Sequence, residues 1–356
     1  MAQKPDIRPI VLPSNQPPNR TFYGGDRISK YRGEQDQGPY TPEDWIASTT
    51  CCNGQAPLGL TKLPNGKFLA DEIRSDPESW LGPEHLKEFG VDTKLLVKLL
   101  HAGQRGPVHA HPSGSFARQY SLGLHGKAEA WYILEPGDVF LGLKRNVTHA
   151  ELHTLMEAQD VETLLGLLHR IPVKAHQTVF VPAGLLHSIG KDVFLLEVQE
   201  PEDLAVILEW KDLRLDGRRD GHLGLGFDKA LQAVERRGRS EMEVNALIGG
   251  ENRIGDLLPC EAAEFFRFEL VRLCGEYQDR AGFSVLVVLN GELEIISSDG
   301  SVVLVKKGST VLIPFAAGTT LVRGNGEVVF VRPPVIGDGT PASQGKEWHN
   351  SGQIPR

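Results

Sequence analysis

A chain of 356 residues is too long for one ordinary hydrophobic core, so length alone predicts two domains. Its 40% apolar and 24% charged residues are the composition of a soluble globular protein, and no apolar run approaches the roughly 18–20 residues of a membrane span. A formal net charge of −8 without a basic block speaks against a nucleic-acid partner. The cysteines, Cys51, Cys52, Cys260 and Cys274, form neither a Cys-x-x-Cys metal spacing nor a dense disulfide framework. With an N-terminus that lacks a signal-peptide apolar core, they predict a reducing, cytoplasmic setting.

In chain order, residues 1–20 are rich in Pro, Asn and Gln and read as an extended arm. In "TPEDWIAS", Thr41 as an N-cap, Pro42 at the first helical position and Asp44 predict a short helix. "DPESW" and "PEHLKEFG" predict further short helical pieces. From "TKLLVKLL" (93–100) onward the pattern is strand-like: short apolar runs broken by Gly and Pro, as in "EAWYILEPG", "TVFVPAG" and "DVFLLEVQ". A helical insertion over about 147–170 interrupts it, opened by Thr148 with Glu151 and carrying leucines at helical spacing. After residue 240 strands return, separated by "NG", "SDG", "KKG" and "NGE" turns, the cadence of a small β-sandwich or barrel. The reading is mainly β, with two β-barrels of related design. The first spans 21–240 and carries the insertion, the second spans 241–335, and a polar tail covers 336–356.

"GPVHAHPSG" (106–114) carries the first chemistry. Residues two apart on a strand share a face, so His109 and His111 can aim two imidazoles into one interior, and Pro112 fits the strand's end. "GKAEAWYI" places Glu129 at the start of an apolar strand, and "VPAGLLHSIG" brings His187 just after a Pro182–Gly184 turn. Three imidazoles and a carboxylate from separate strands suit a divalent ion such as zinc, iron, cobalt, nickel or manganese.

These spacings resemble a known family. Gly103-x5-His109-x-His111 and Pro182-x-Gly184-x2-His187 are similar to the two motifs of the cupin superfamily. Glu129 comes eighteen residues after His111, a longer gap that resembles class I mannose-6-phosphate isomerases. "EDWIAS", "TKLLVKLLHAGQRGPVHAHP", "GLHGKAEAWYI", "IPVKAHQTVFVPAGLLHSIG", "LLEVQ" and "HLGLGFDKALQAV" follow that family's order. "SDGSVVLVKKGSTVLIP" resembles its second cupin, which lacks metal ligands. The resemblance implies two cupin-type β-barrels, a bicupin, with the helical insertion in the first. It carries the metal role to His111, Glu129 and His187, with His109 standing where the family has a glutamine ligand. Lys127 matches the family's substrate-contacting lysine, and Glu197 in "LLEVQ" matches an active-site glutamate, the candidate acid/base. The implied cofactor is one divalent ion, zinc first, with iron, manganese, cobalt or nickel as alternatives. The implied partner is a small sugar or sugar phosphate, with no nucleic acid or membrane partner, and the chain acts as a monomer or homodimer.

Two positions depart from the family. Ile207 stands where it has an active-site arginine, and isoleucine offers no fork of donors to an anionic intermediate. Pro107 stands where a serine helps hold the sugar phosphate. Arg118, Lys211, Arg214, Arg218 and Arg219 are the nearby cations. The expected function is metal-dependent aldose–ketose isomerisation through an enediol, on a substrate that need not be mannose 6-phosphate or carry a phosphate. The alternatives are an iron cupin dioxygenase, which uses a three-His, one-Glu set, and a sugar-binding regulatory protein without turnover, which Ile207 and Pro107 favour. "GLGF" (224–227) is not a complete nucleotide-binding loop, and "NVT" (146–148) means little in a cytoplasmic chain. His125 is weighed as a neighbour of the site, His153 as core or surface, and Trp131 and Tyr132 as packing.

Overall fold

Alternation of side chains along strands decides which faces of this chain can be buried. The computed structural model describes residues 8–250 and 254–336. The first seven residues of the expected arm and most of the expected tail lie outside the described residues.

The arm is extended where described: β1 (Ile10–Val11) pairs with a strand some 300 residues later in the chain, matching Ile10 to Leu312. After it come α1 (Asp26–Arg32), β2 (Glu43–Ile46), α2 (Leu69–Ser75), α3 (Pro77–Leu81) and α4 (Pro83–Phe89). The expected helices in "DPESW" and "PEHLKEFG" are α3 and α4, each opened by proline in its first turn. "TPEDWIAS" is different. The expected helix there is strand β2, because β3 (Leu96–His101) offers it backbone partners from Glu43–Leu100 to Ile46–Val97. The Thr41 hydroxyl donates to the Gly38 carbonyl at 2.8 Å instead of capping. A period of two sends Glu43 and Trp45 to one face and Asp44 to the other, where it meets buried Arg32 of α1 at 3.1 Å. Long-range pairing overrode local capping chemistry.

The chain continues through β4 (His109–Ala110), α5 (Gly114–Gln119), β5 (Glu129–Glu135) and β6 (Gly137–Leu143). The insertion is α6 (His149–Ala158) and α7 (Val161–Gly166), and Thr148 does cap α6, accepting from the Glu151 amide at 3.1 Å. Strand β7 (Leu168–Val173) begins before the expected end of the insertion, followed by β8 (Thr178–Val181), β9 (His187–Ile189), β10 (Phe194–Gln199) and β11 (Val206–Ile207). Three short helices follow: α8 (Gly217–Asp220), α9 (Phe227–Ala230) and α10 (Glu241–Asn245). The remaining strands are β12 (Ile248–Gly249), β13 (Gly255–Asp256), β14 (Arg267–Asp279), β15 (Ser284–Ile296), β16 (Val302–Lys306), β17 (Thr310–Ile313) and β18 (Thr320–Arg332).

The architecture is mainly β, in three antiparallel sheets, none of them closed. One runs β12-β8-β5-β10-β3-β2, a second β11-β4-β9-β6-β7, and the third β1-β17-β15-β18-β14-β13 with β16 on β15. The first sheet is buried on both faces, as its near-continuous apolar runs require. Leu100, Trp131, Ile133, Val179, Val181 and Leu195 point toward Val139, Leu141 and Ile189 of the second sheet. Val97, Leu99, Ala130, Tyr132, Leu196 and Val198 point the other way, onto Phe268, Val285, Val287 and Val329 of the third. Helices α6, α7 and α9 cover the outer side of the second sheet through Leu152, Met156, Leu164 and Phe227. No helix among the described residues is long and apolar enough to cross a membrane.

Candidate metal centre

The space between the first two sheets is apolar at one end and charged at the other. His109 of β4 and His187 of β9 are direct register partners, and His111 follows β4 by one residue. The turn that returns the chain to β9 needs Gly184, whose φ of +88° lies where L-residues are strained. Its amide donates to the His111 carbonyl at 2.7 Å, tying the two histidine segments together.

Each imidazole is fixed through Nδ1. His109 Nδ1 lies 2.9 Å from the Pro107 carbonyl, His111 Nδ1 2.7 Å from the Leu204 carbonyl, and His187 Nδ1 2.8 Å from the Leu185 carbonyl. A carbonyl only accepts, so each Nδ1 carries a proton and each ring turns its Nε2 away from that carbonyl. One nitrogen from each ring lies within 4.8 Å of the others. Glu129, first residue of β5, brings Oε2 to 3.0 Å from His111 Nε2 and Oε1 to 3.2 Å from His187 Nε2. Lys127 Nζ donates to His111 Nε2 at 2.8 Å and to Glu129 Oε2 at 2.9 Å. Five of the six residues singled out in the sequence therefore converge on one point.

The sixth, Glu197, lies one strand away on β10, opposite Trp131 in register, with Gln199 opposite Glu129. It accepts from Trp131 Nε1 at 3.2 Å and lies 3.1 Å from Lys98 Nζ. Lys98 also bonds Glu43 at 3.2 Å, and Glu43 meets Arg20 at 2.6 Å. This buried line of alternating charge crosses the inner face of the first sheet. Sequence reasoning missed Lys98, Glu43 and Arg20. Lys98 two residues before Leu100 on a buried strand was the available signal, since a fully buried lysine needs a paired carboxylate.

Burial and neighbouring charges shift the titrating groups of the centre. Burial, with Lys127 beside it, pushes the His111 imidazole down to about 3. Burial and the two neighbouring rings hold His109 well below its ordinary value. Burial opposes ionisation of Glu129, but Lys127 and His111 outweigh it, and the carboxyl sits well below the usual range. Burial dominates at Glu197 and raises its carboxyl, against the pull of Lys98. Three imidazoles and one carboxylate are thus presented together, and buried His187 Nε2 has no hydrogen-bond partner. That donor set fits a divalent ion, and the trio could hold one.

The other sequence candidates fall outside the centre. Pro107 supplies the carbonyl that orients His109, and Ile207 pairs with His109 across β11 and β4. Arg214 stacks on Tyr40, Arg218 pairs with Glu157, Arg219 with Asp220, Lys211 is exposed, and Arg118 donates to the Leu124 carbonyl. His125 bonds Asp92 at 2.7 Å, and His153 stacks on His149 of the same helix. Trp131 is fully buried with its ring 5.7 Å from that of His187, while Tyr132 faces the opposite side and meets His176 at 2.7 Å.

No family model matches the chain. A mannose-6-phosphate isomerase of Streptococcus mutans is 30% identical over 55% of this chain and 58% of its own length. The chain thus aligns with little more than half of that relative. The mannose-6-phosphate isomerase ManA of Bacillus subtilis is 29% identical over 76% of this chain and 84% of its own. Among solved structures, the Bacillus subtilis mannose 6-phosphate isomerase superposes with a TM-score of 0.71 at 24% identity, over 92% of this chain and all of that one. A mannose 6-phosphate isomerase bound with zinc and yttrium superposes equally well, TM-score 0.71, at 15% identity over 92% of this chain and 100% of that chain. At such identities the structural likeness establishes the fold.

Proposed function

We propose that the chain is a divergent member of the mannose-6-phosphate isomerase family, whose curated relatives it matches at about 30% identity, and that it is a metal-dependent aldose–ketose isomerase. The observation that carries this reading is the convergence of three imidazoles and Glu129 on one point, with Lys127 Nζ held against them at 2.8 and 2.9 Å. His109, His111, His187 and Glu129 would hold the ion, and zinc is the first choice for a set of three nitrogens and one oxygen. When bound, a divalent ion supplies Lewis-acid polarisation of the sugar's carbonyl and hydroxyl oxygens.

The remaining chemistry belongs to the chain's own side chains. Isomerisation moves one proton from C2 of the aldose to C1 and one between O2 and O1, so atoms balance without a redox partner. Glu197, its carboxyl raised by burial, takes the C2 proton and returns it at C1 through the enediol. Lys127, beside His111 and Glu129, serves the oxygens. Lys98 and Trp131 hold Glu197 in place. Residues 21–240, which supply nearly all of the first two sheets, act as a cupin barrel, and 241–335, which supply most of the third, act as a metal-free second cupin that supports it. The four free cysteines suit a cytoplasmic chain.

The test is deuterium exchange. Metal-loaded protein in heavy water, offered paired aldoses and ketoses, should place deuterium at C1 or C2, and a fully loaded protein that exchanges none of them is not an isomerase. His109 favours one other reading, an iron dioxygenase on the same three-imidazole set. Oxygen uptake by the iron-loaded protein without sugar exchange would select it.

A further inference from the structure

We propose that Glu43 is a positioning residue for the proton transfer: by taking the Lys98 hydrogen bond onto itself it leaves Glu197 Oε1 unbonded, and that oxygen is the one that carries the substrate proton. This rests on the isomerase reading above. Register brings the groups together. Trp45 of β2 pairs with Lys98 of β3, Lys98 with Glu197 of β10, and Glu197 with Trp131 of β5, so four side chains form one row across the inner face of the first sheet. Glu43 lies two residues before Trp45 and shares that face. All five side chains are buried.

Lys98 stands between two carboxylates at nearly equal range, its Nζ 3.2 Å from Glu43 Oε1 and 3.1 Å from Glu197 Oε1. The two contacts differ in kind. The one to Glu43 is a hydrogen bond. The one to Glu197 is an ion pair alone: Glu197 Oε1 has no hydrogen-bond partner, while its Oε2 accepts from Trp131 Nε1 at 3.2 Å. A buried acceptor is costly to leave unbonded, and on a candidate acid/base the idle lone pair is where a proton can land. Arg20 is what aims Glu43 at Lys98. Its Nε donates to Glu43 Oε2 at 2.6 Å, and its other nitrogens meet Cys52 Sγ at 2.5 Å and Asp203 at 3.9 Å. With Oε2 held there, Oε1 is left to face Lys98.

The charged groups that bear on Glu197 are Lys98, Glu129, Lys127 and Glu43. Burial raises its carboxyl most, Glu129 and Glu43 add to that, and Lys98 and Lys127 pull it down. Glu43→Gln removes one raising charge. Arg20 keeps the amide oxygen, so the new side chain turns its NH2, a donor, toward Lys98. The ammonium then bonds Glu197 Oε1 instead, and the carboxylate becomes a weaker base.

The experiment compares the parent with Glu43→Gln, both metal-loaded and shown folded by circular dichroism, in heavy-water exchange of a sugar that the parent accepts. In the variant kcat should fall about 10–100-fold with KM within about twofold, and the acid limb of kcat should move down by about one pH unit. Lost activity with the acid limb unmoved is what a merely structural role gives; it overturns the proposal and leaves the isomerase reading standing. A second readout needs no variant. In the parent with isotope-labelled lysine and glutamate, a nuclear spin coupling across the hydrogen bond should link Lys98 Nζ to the carboxyl carbon of Glu43 and not to that of Glu197. A coupling to Glu197 overturns the proposal whatever the activity. A loaded parent that exchanges no sugar overturns the isomerase reading and the proposal together.

Discussion

Lys127 is the side chain on which binding and chemistry meet. Its ammonium donates to His111 Nε2 and Glu129 Oε2, the atoms a bound cation would use. Removing it leaves Glu129 its two imidazole neighbours and takes a competing positive charge from the centre. Lys127→Met is therefore expected to bind zinc at least as tightly as the parent in a chelator competition. Its sugar exchange is expected to fall by roughly 10²–10⁴-fold, the usual worth of a positioned proton donor. Weakened zinc binding would mean that Lys127 orders the ligands and does no more. His187 sits differently: its ring is fully buried and its Nε2 has no hydrogen-bond partner, so His187→Ala should lose zinc stoichiometry outright.

At the scale of elements, β2 shows why one short strand matters. It carries Glu43 into the space between the sheets, where Arg20 and Lys98 meet it. Burial alone would raise the Glu43 carboxyl, but the two cations bring it down to about 2. A depressed carboxyl stabilises the fold above its unfolded value, about 4.3, and that stabilisation is lost as pH falls through about 2. Over that window the parent is expected to lose on the order of 3 kcal/mol from this group. Glu43→Gln should lack that part of the acid slope in urea titrations between pH 5 and 2. At neutral pH it should be less stable by roughly 3–5 kcal/mol, because two buried cations lose their partner. The turn before β9 gives a second test. Gly184→Ala would put a side chain at φ +88° with its Cβ 3.2 Å from the Ala233 carbonyl, and should cost about 1–3 kcal/mol while weakening zinc binding.

For the whole molecule, the shared core makes the sheets unfold together. Phe268, Val285 and Val331 of the third sheet belong to the same apolar cluster as Val97, Ala130 and Val198 of the first. A single calorimetric transition is expected, moved upward by zinc because the ligands converge only in the folded chain. Two separated transitions would show independent units. Much of this was legible in the sequence: the His109–His111 spacing, Glu129 at a strand's start, His187 after its glycine turn, and capped α6. These depend on neighbours within a few residues, where alternation and turn chemistry operate. The helix expected from Thr41 was instead β2, because its partner strand lies some fifty residues away. The Arg20–Glu43–Lys98–Glu197 line was invisible for the same reason. Sequence alone determined which side chains could bind a cation. Only tertiary structure decided which charges neutralise each other, since that follows from strand register between segments far apart in the chain.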